Sequence, residues 1–228
     1  MIPLRDNVRP KNFPIVNITL IIINVAVFFY QFMMGPEAVK EFIFTFGVIP
    51  REISTSGFTE LLLTGFTPLV PLITATFLHG GWLHLISNML YLWVFGDNIE
   101  DCLGSLSYLL VYLLLGVIGH FSHIIFEPFS SVPLIGASGA IAGVLGAYFI
   151  LYPWARVLAL IPLGFFITFV EIPAVVYLVL WFFLQVFSGV TALLTPGVQV
   201  IAWWAHIGGF VSGIITGVFI KRLGLSVY

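Results

Sequence analysis

The sequence predicts an all-α polytopic membrane protein with six transmembrane helices and an interfacial first loop, and three observations carry that prediction. Of its 228 residues, 60% are hydrophobic and only 8% charged, whereas a soluble domain carries roughly 25% charged residues. With a mean hydropathy of +1.13, the chain lacks the polar residues to cover itself in water. Its apolar residues fall in runs near the roughly 20 needed to cross a hydrocarbon core about 30 Å thick. Small residues recur on these runs at four-residue spacing, which lets helices approach closely in lipid, where no hydrophobic drive brings them together.

The whole chain, 1–228, reads as one membrane domain. Its first run, about 15–33, follows Arg5, Arg9 and Lys11 and has the outline of a secretory signal. It continues to Met33 without a small-x-small cleavage site, so it reads as a retained span. Residues 35–67 mix Glu37, Lys40, Glu41, Arg51, Glu52 and Glu60 with Phe and Leu. Too polar to span and too apolar to float, this stretch predicts an interfacial loop with short amphipathic helices. The next spans are predicted over about 71–96, ending between Phe95 and Asp101, and over about 106–126. A short span over about 138–152 stops at Pro153 and Arg156.

Val157–Val170 is apolar but broken by Pro162-Leu163-Gly164 and followed by Glu171 and Pro173, so it reads as an interfacial or re-entrant connection. The fifth span, about 172–187, precedes a turn at Thr195-Pro196-Gly197, and the sixth, about 200–220, is closed by Lys221-Arg222. Six spans leave both ends on one side, which collects Arg5, Arg9, Lys11, Arg156, Lys221 and Arg222 against Lys40 and Arg51. The positive-inside rule then places both termini in the cytoplasm. A seventh span over Val157–Val170 would strand Lys221 and Arg222 outside. The compact, tail-free chain suggests a prokaryotic plasma membrane.

Composition also excludes. A net charge of −2 rules out an ordinary basic nucleic-acid binder. With Cys102 the single cysteine, there is no intrachain disulfide, Cys-ligated zinc or iron–sulfur site. His120 and His123 stand three apart near the outer end of the third span but have no further ligands, and read as interfacial or packing residues. No metal or cofactor is expected.

Two stretches carry the chemistry. Pro133–Gly143 sets Ser138 among Gly136, Ala137 and Gly139 at the head of a small-residue helix, and Trp203–Gly209 does the same for His206. A serine and a histidine base on two helices form a nucleophilic pair if they share a depth. Ser138 lies fourteen residues from Tyr152, and His206 fourteen from Ile220, each about 21 Å at roughly 1.5 Å per residue. The heights agree. Ala205, Gly209, Gly213 and Gly217 line one helix, and Gly139/Gly143 with Ala142/Gly146 line the other, so close packing can bring the two side chains together. His84 and Asn88, four apart on one helix face, bracket that depth and offer N–H donors to an oxyanion. No carboxylate is placed to orient His206, so a dyad is expected. The plainer readings are local: a serine bonding its own helix backbone, a helix-bridging histidine, and polar glue at His84 and Asn88.

Taken together, Gly136-Ala137-Ser138-Gly139, Ala205-His206-x-x-Gly209-x-x-x-Gly213, His84-x-x-x-Asn88 after His79, and Phe95-Gly96-Asp97-Asn98-Ile99-Glu100-Asp101 resemble the rhomboid intramembrane serine proteases. The resemblance covers nearly the whole chain. It implies a six-helix bundle around a water-filled cavity, with Ser138 as nucleophile and His206 as base. It also implies an oxyanion hole from the Ser138 N–H with His84 and Asn88, and Gly136, Gly139, His79 and Gly209 as supporting residues. The substrates implied are transmembrane proteins in the lipid bilayer, cut near their outer ends. The fifth helix, with Trp181 and Gln185, corresponds to the lateral gate discussed for the family.

Two departures stand out. The aromatic that members often carry four residues after the nucleophile is Ala142, which leaves the support of the His206 ring open. A Trp-Arg pair common in the first loop is replaced by Val70-Pro71. Two other classes compete: a rhomboid-like protein that binds clients without cutting, and a small transporter, which usually shows internal repeats not evident here.

Overall fold

The computed structural model describes residues 1–56, 69–163, 166–194 and 201–225. In chain order the elements are β1 (Ile2–Asp6), α1 (Ile15–Met33), α2 (Pro36–Phe46), α3 (Pro50–Thr55) and α4 (Pro71–Thr74). There follow α5 (Trp82–Leu103), α6 (Ser105–Phe126), α7 (Ser138–Leu151), β2 (Arg156–Leu163), β3 (Phe166–Pro173), α8 (Ala174–Leu194) and α9 (Trp203–Arg222). By length and composition α1, α6, α8 and α9 can each cross a membrane, and α7 is a shorter apolar helix. The chain is thus a largely helical membrane protein.

Helix α7 forms the centre. Its residues from Gly139 to Tyr148 are all buried, because glycines and alanines let three neighbours close on its backbone. A Cβ added to Gly213 would stand within 1.9 Å of the Gly143 carbonyl oxygen, and one on Gly146 within 2.1 Å of the Phe210 carbonyl oxygen. The α7–α9 seam is therefore a contact of backbone on backbone. On its other side a Cβ on Gly119 of α6 would stand 3.0 Å from the Ala205 carbonyl oxygen and 3.2 Å from Gly139 Cα.

Around this core α1 buries one stripe, Asn17, Leu20, Asn24, Phe28 and Gln31, at the three- and four-residue spacing of a helix face. The polar members of that stripe are tied down. Tyr108 Oη donates to Asn17 Oδ1 at 2.8 Å, and Asn17 Nδ2 donates to the Leu92 carbonyl at 3.1 Å. The backbone N–H groups of Val16 and Asn17, exposed donors at the start of α1, are taken by the Glu100 carboxylate at 3.0 and 2.7 Å. Asp101 takes the N–H groups of Lys11 and Asn12. The acidic end of α5 thus caps and anchors the amino-terminal segment.

The structure corrects four expectations. The fold is not all-α: β1, β2 and β3 form an antiparallel sheet in that order, with Ile2 opposite Leu160 and Arg156 opposite Pro173. The segment Val157–Val170, expected as an interfacial or re-entrant connection, contributes its described residues to the paired strands β2 and β3. Pro162 disfavours a helix, and Val157, Ile161, Ile167, Thr168, Phe169 and Val170 are β-branched or aromatic residues that suit strands.

The second span begins at Trp82 rather than near residue 71. Pro71–Thr74 and a 3₁₀ turn at Ala75–Phe77 stand apart from it, separated by the extended backbone through Gly81. It runs on to Leu103, so the acidic residues 97–101 are helical. The fifth span is displaced to Ala174–Leu194, because the sheet claims residues up to Pro173. Of the first loop, α2 and α3 are the described helices; its residues 57–67, the turn at Thr195–Gly197 and the predicted start of the sixth span at Val200 lie outside the described residues.

The sheet is bound to the bundle through Asp6, whose Oδ2 accepts hydrogen bonds from Tyr148 Oη and Asn98 Nδ2. Burial outweighs these bonds and raises the Asp6 carboxyl to about 6, as desolvation penalises the charged form.

Candidate active site

Ser138 is the first residue of α7, and the chain entering it is held from both sides. Leu134 exchanges backbone hydrogen bonds with Val48 at 2.7 and 3.0 Å, and the Gly136 N–H donates to the Ala75 carbonyl at 2.9 Å. Gly136 has φ +121, a conformation that only glycine adopts without strain. The first N–H groups of a helix have no acceptor within it, so the Ser138 amide is free to serve an incoming oxygen.

His206 sits in the first turn of α9, one turn before Gly209. A Cβ on Gly209 would approach the Gly139 carbonyl oxygen to 2.1 Å and Ala142 Cβ to 3.2 Å. That closeness carries the imidazole to the head of α7, where Ser138 Oγ lies 2.8 Å from His206 Nε2. The two half-buried side chains face a cavity of about 1310 Å³, also lined by His84, Asn88, Trp181 and Gln185. The cavity reaches the surface at Leu83, Phe129 and Val132, each exposed.

His84 and Asn88 reach the cavity from α5. The Gly80 N–H donates to His84 Nδ1 at 3.4 Å, which leaves Nε2 to carry the proton of a neutral ring. A Cβ on Gly136 would stand 2.7 Å from that Nε2 and 3.7 Å from Ser138 Oγ, so the missing side chain is the gap between donor and hydroxyl. Asn88 is buried, and its Nδ2 finds no hydrogen-bond partner among the described residues.

His79 does not line the cavity. Its ring stands edge-on to His84 at 5.0 Å, and its backbone exchanges hydrogen bonds with the Gln31 side chain, joining the entry to α5 onto α1. His120 is also set apart, its Nδ1 2.9 Å from the Leu72 carbonyl. His123 lines the cavity wall beside Glu127.

One contact is absent from the sequence reading. His206 Nδ1 lies 2.8 Å from Gln185 Oε1, and Trp181 and Trp203 flank the ring with centroids at 6.2 and 6.1 Å. The aromatic neighbours missing at Ala142 are therefore supplied by α8 and by the first turn of α9. The sequence signal was the four-residue step from Trp181 to Gln185, which puts both on one face of the fifth helix.

The bundle and this contact define a polytopic membrane protein that presents a serine and an imidazole, bonded to each other, in a cavity open to its surface. The family model of the Rhomboid domain matches residues 67–223, and the chain belongs to the rhomboid family. It is 35% identical over 127 residues to "Rhomboid protease GluP" of Bacillus subtilis, covering 56% of this chain and 22% of that protein. With "Putative rhomboid protease YdcA" of the same organism it shares 42% identity over 77 residues, 34% of this chain and 38% of the other. With the mitochondrial "Rhomboid protein 1" of Saccharomyces cerevisiae it shares 28% over 163 residues, 68% and 43%. The chain thus spans less than half the length of these three relatives.

Proposed function

We propose that the chain is an intramembrane serine endopeptidase that cuts membrane-inserted, single-span proteins near their extracytoplasmic ends. The observation that carries this reading is the 2.8 Å contact between Ser138 Oγ and His206 Nε2 inside an accessible cavity. His206 Nε2 takes the hydroxyl proton as Ser138 Oγ attacks the scissile carbonyl. The oxyanion accepts hydrogen bonds from the Ser138 N–H, His84 Nε2 and Asn88 Nδ2. His206 then returns the proton to the leaving amine, and a water attacks the acyl-enzyme with the same base. An intact substrate helix hides its carbonyls in its own hydrogen bonds, so cleavage favours segments with small or helix-breaking residues.

In this reading α1, α5, α6, α7, α8 and α9 are the six spans. Both termini lie in the cytoplasm of a prokaryotic cell, following the bias of Arg and Lys.

The test is cleavage of a single-span substrate in liposomes, paired with labelling by a fluorophosphonate. Wild type should cleave and label; Ser138→Ala and His206→Ala should lose both while keeping the fold. Retained cleavage in either variant, or a folded wild type that neither cleaves nor labels, overturns the proposal. The second outcome would favour a client-binding protein without activity.

A further inference from the structure

We propose that Gln185 is a positioning residue for His206, holding the imidazole in the tautomer that can accept the serine proton and making that hold depend on the seating of α8. The inference rests on the protease reading for its kinetic consequence but not for its geometry.

The direction of each hydrogen bond follows from the one before it. Gln185 Nε2 donates to the Trp181 carbonyl at 3.4 Å, one turn back on α8, which turns Oε1 toward α9. That oxygen has no hydrogen to give, so the 2.8 Å contact with His206 Nδ1 requires the proton to sit on Nδ1. A neutral ring protonated there presents a bare Nε2, which is the atom 2.8 Å from Ser138 Oγ. The chain of bonds runs from α8 through α9 to α7 in the sense that general-base chemistry needs.

Gln185 is 8% exposed, so water competes little for the contact. With an uncharged amide in this place, the chain orients the base without the carboxylate used in Ser-His-Asp triads. The acceptor also sits on a helix with little else in the core: its buried residues are Ala174, Tyr177, Leu178, Gln185 and Gly189. Gly189 sets the approach of α8 to α9. A Cβ there would stand 3.3 Å from both Trp203 Cβ and Ile207 Cδ1. Moving α8 away from α9 removes the Nδ1 acceptor, so the base is in register only while α8 is seated.

The test has two arms. In protein labelled with ¹⁵N-histidine in lipid, the His206 signals, assigned by their loss in His206→Ala, should show a protonated Nδ1 and a bare Nε2. In Gln185→Leu they should show mixed or reversed tautomers. In the cleavage assay, Gln185→Leu should lower kcat by up to about 10⁴-fold, the loss seen when a triad's orienting group is disabled, with KM little changed and fluorophosphonate labelling slowed in step. Gln185→Glu, which keeps an acceptor, should restore most of the rate, and Gly189→Leu should reproduce part of the loss. A wild-type His206 with its proton on Nε2, or a Gln185→Leu variant with unaltered tautomer and kcat, overturns the proposal. The NMR arm stands whether or not the wild type cleaves, so failure of the protease reading is told apart from failure of this one.

Discussion

Gly209 and Gly139 meet backbone to backbone: a single added carbon on Gly209 would come within 2.1 Å of the Gly139 carbonyl oxygen. This approach, one turn beyond His206 and one residue beyond Ser138, sets the distance between the imidazole and the hydroxyl. Gly209→Val should therefore push α9 off α7. We expect a stability loss of about 1–3 kcal/mol or more, the usual range for overpacking, and loss of fluorophosphonate labelling in whatever fraction stays folded. Unfolding in detergent and labelling yield measure the two effects separately. An equally stable, equally labelled variant would mean that the seam does not set the contact.

Gly136 combines a φ of +121 with a space that His84 Nε2 already borders. Gly136→Ala adds strain and places a carbon between His84 and Ser138, so cleavage should fall steeply even where folding survives. Comparing turnover per folded molecule, by activity against circular dichroism, checks this.

Asn88 lines the cavity, and its amide N–H groups have no other partner among the described residues. Asn88→Ala should reduce kcat about 100- to 1,000-fold while KM changes little, as for a donor that acts on the developing oxyanion. His84→Ala should act in the same direction. If both variants turn over at the wild-type rate, the oxyanion is held elsewhere.

Asp6 has a raised carboxyl, about 6 against an ordinary 3.8, because burial disfavours its charge. The folded state thus holds the proton more tightly than the unfolded state. The stability this confers is full below about pH 4, falls as pH rises toward 6, and levels off above it. Asp6→Asn should flatten that slope. Thermal unfolding between pH 4 and pH 8 should show the wild type losing ground to Asp6→Asn across that window. Parallel curves would place the titration on another group.

How far the fold was legible depends on the range of the interactions. The helices α1, α6 and α9 lie close to the apolar runs that predict them, because a span is a local property of some twenty residues. The break at Gly80-Gly81 shifted the start of α5, and only the neighbours of α7 show why the chain must turn there: Gly136 is bonded to Ala75, just before α5. The sheet was missed because β1 and β2 pair across more than 150 residues (Ile2 with Leu160), and one-dimensional hydropathy carries no record of such a partner.

The sequence by itself determined that this chain lives in a membrane and that the helices carrying Ser138 and His206 have faces small enough to touch. These are consequences of composition and spacing. Tertiary structure alone decided that His206 Nδ1 meets Gln185, that His84 Nε2 borders the gap left by Gly136, and that β1 joins the β2–β3 hairpin. Each of these depends on where separate elements come to rest against one another, which close packing sets to within an ångström and hydropathy does not encode.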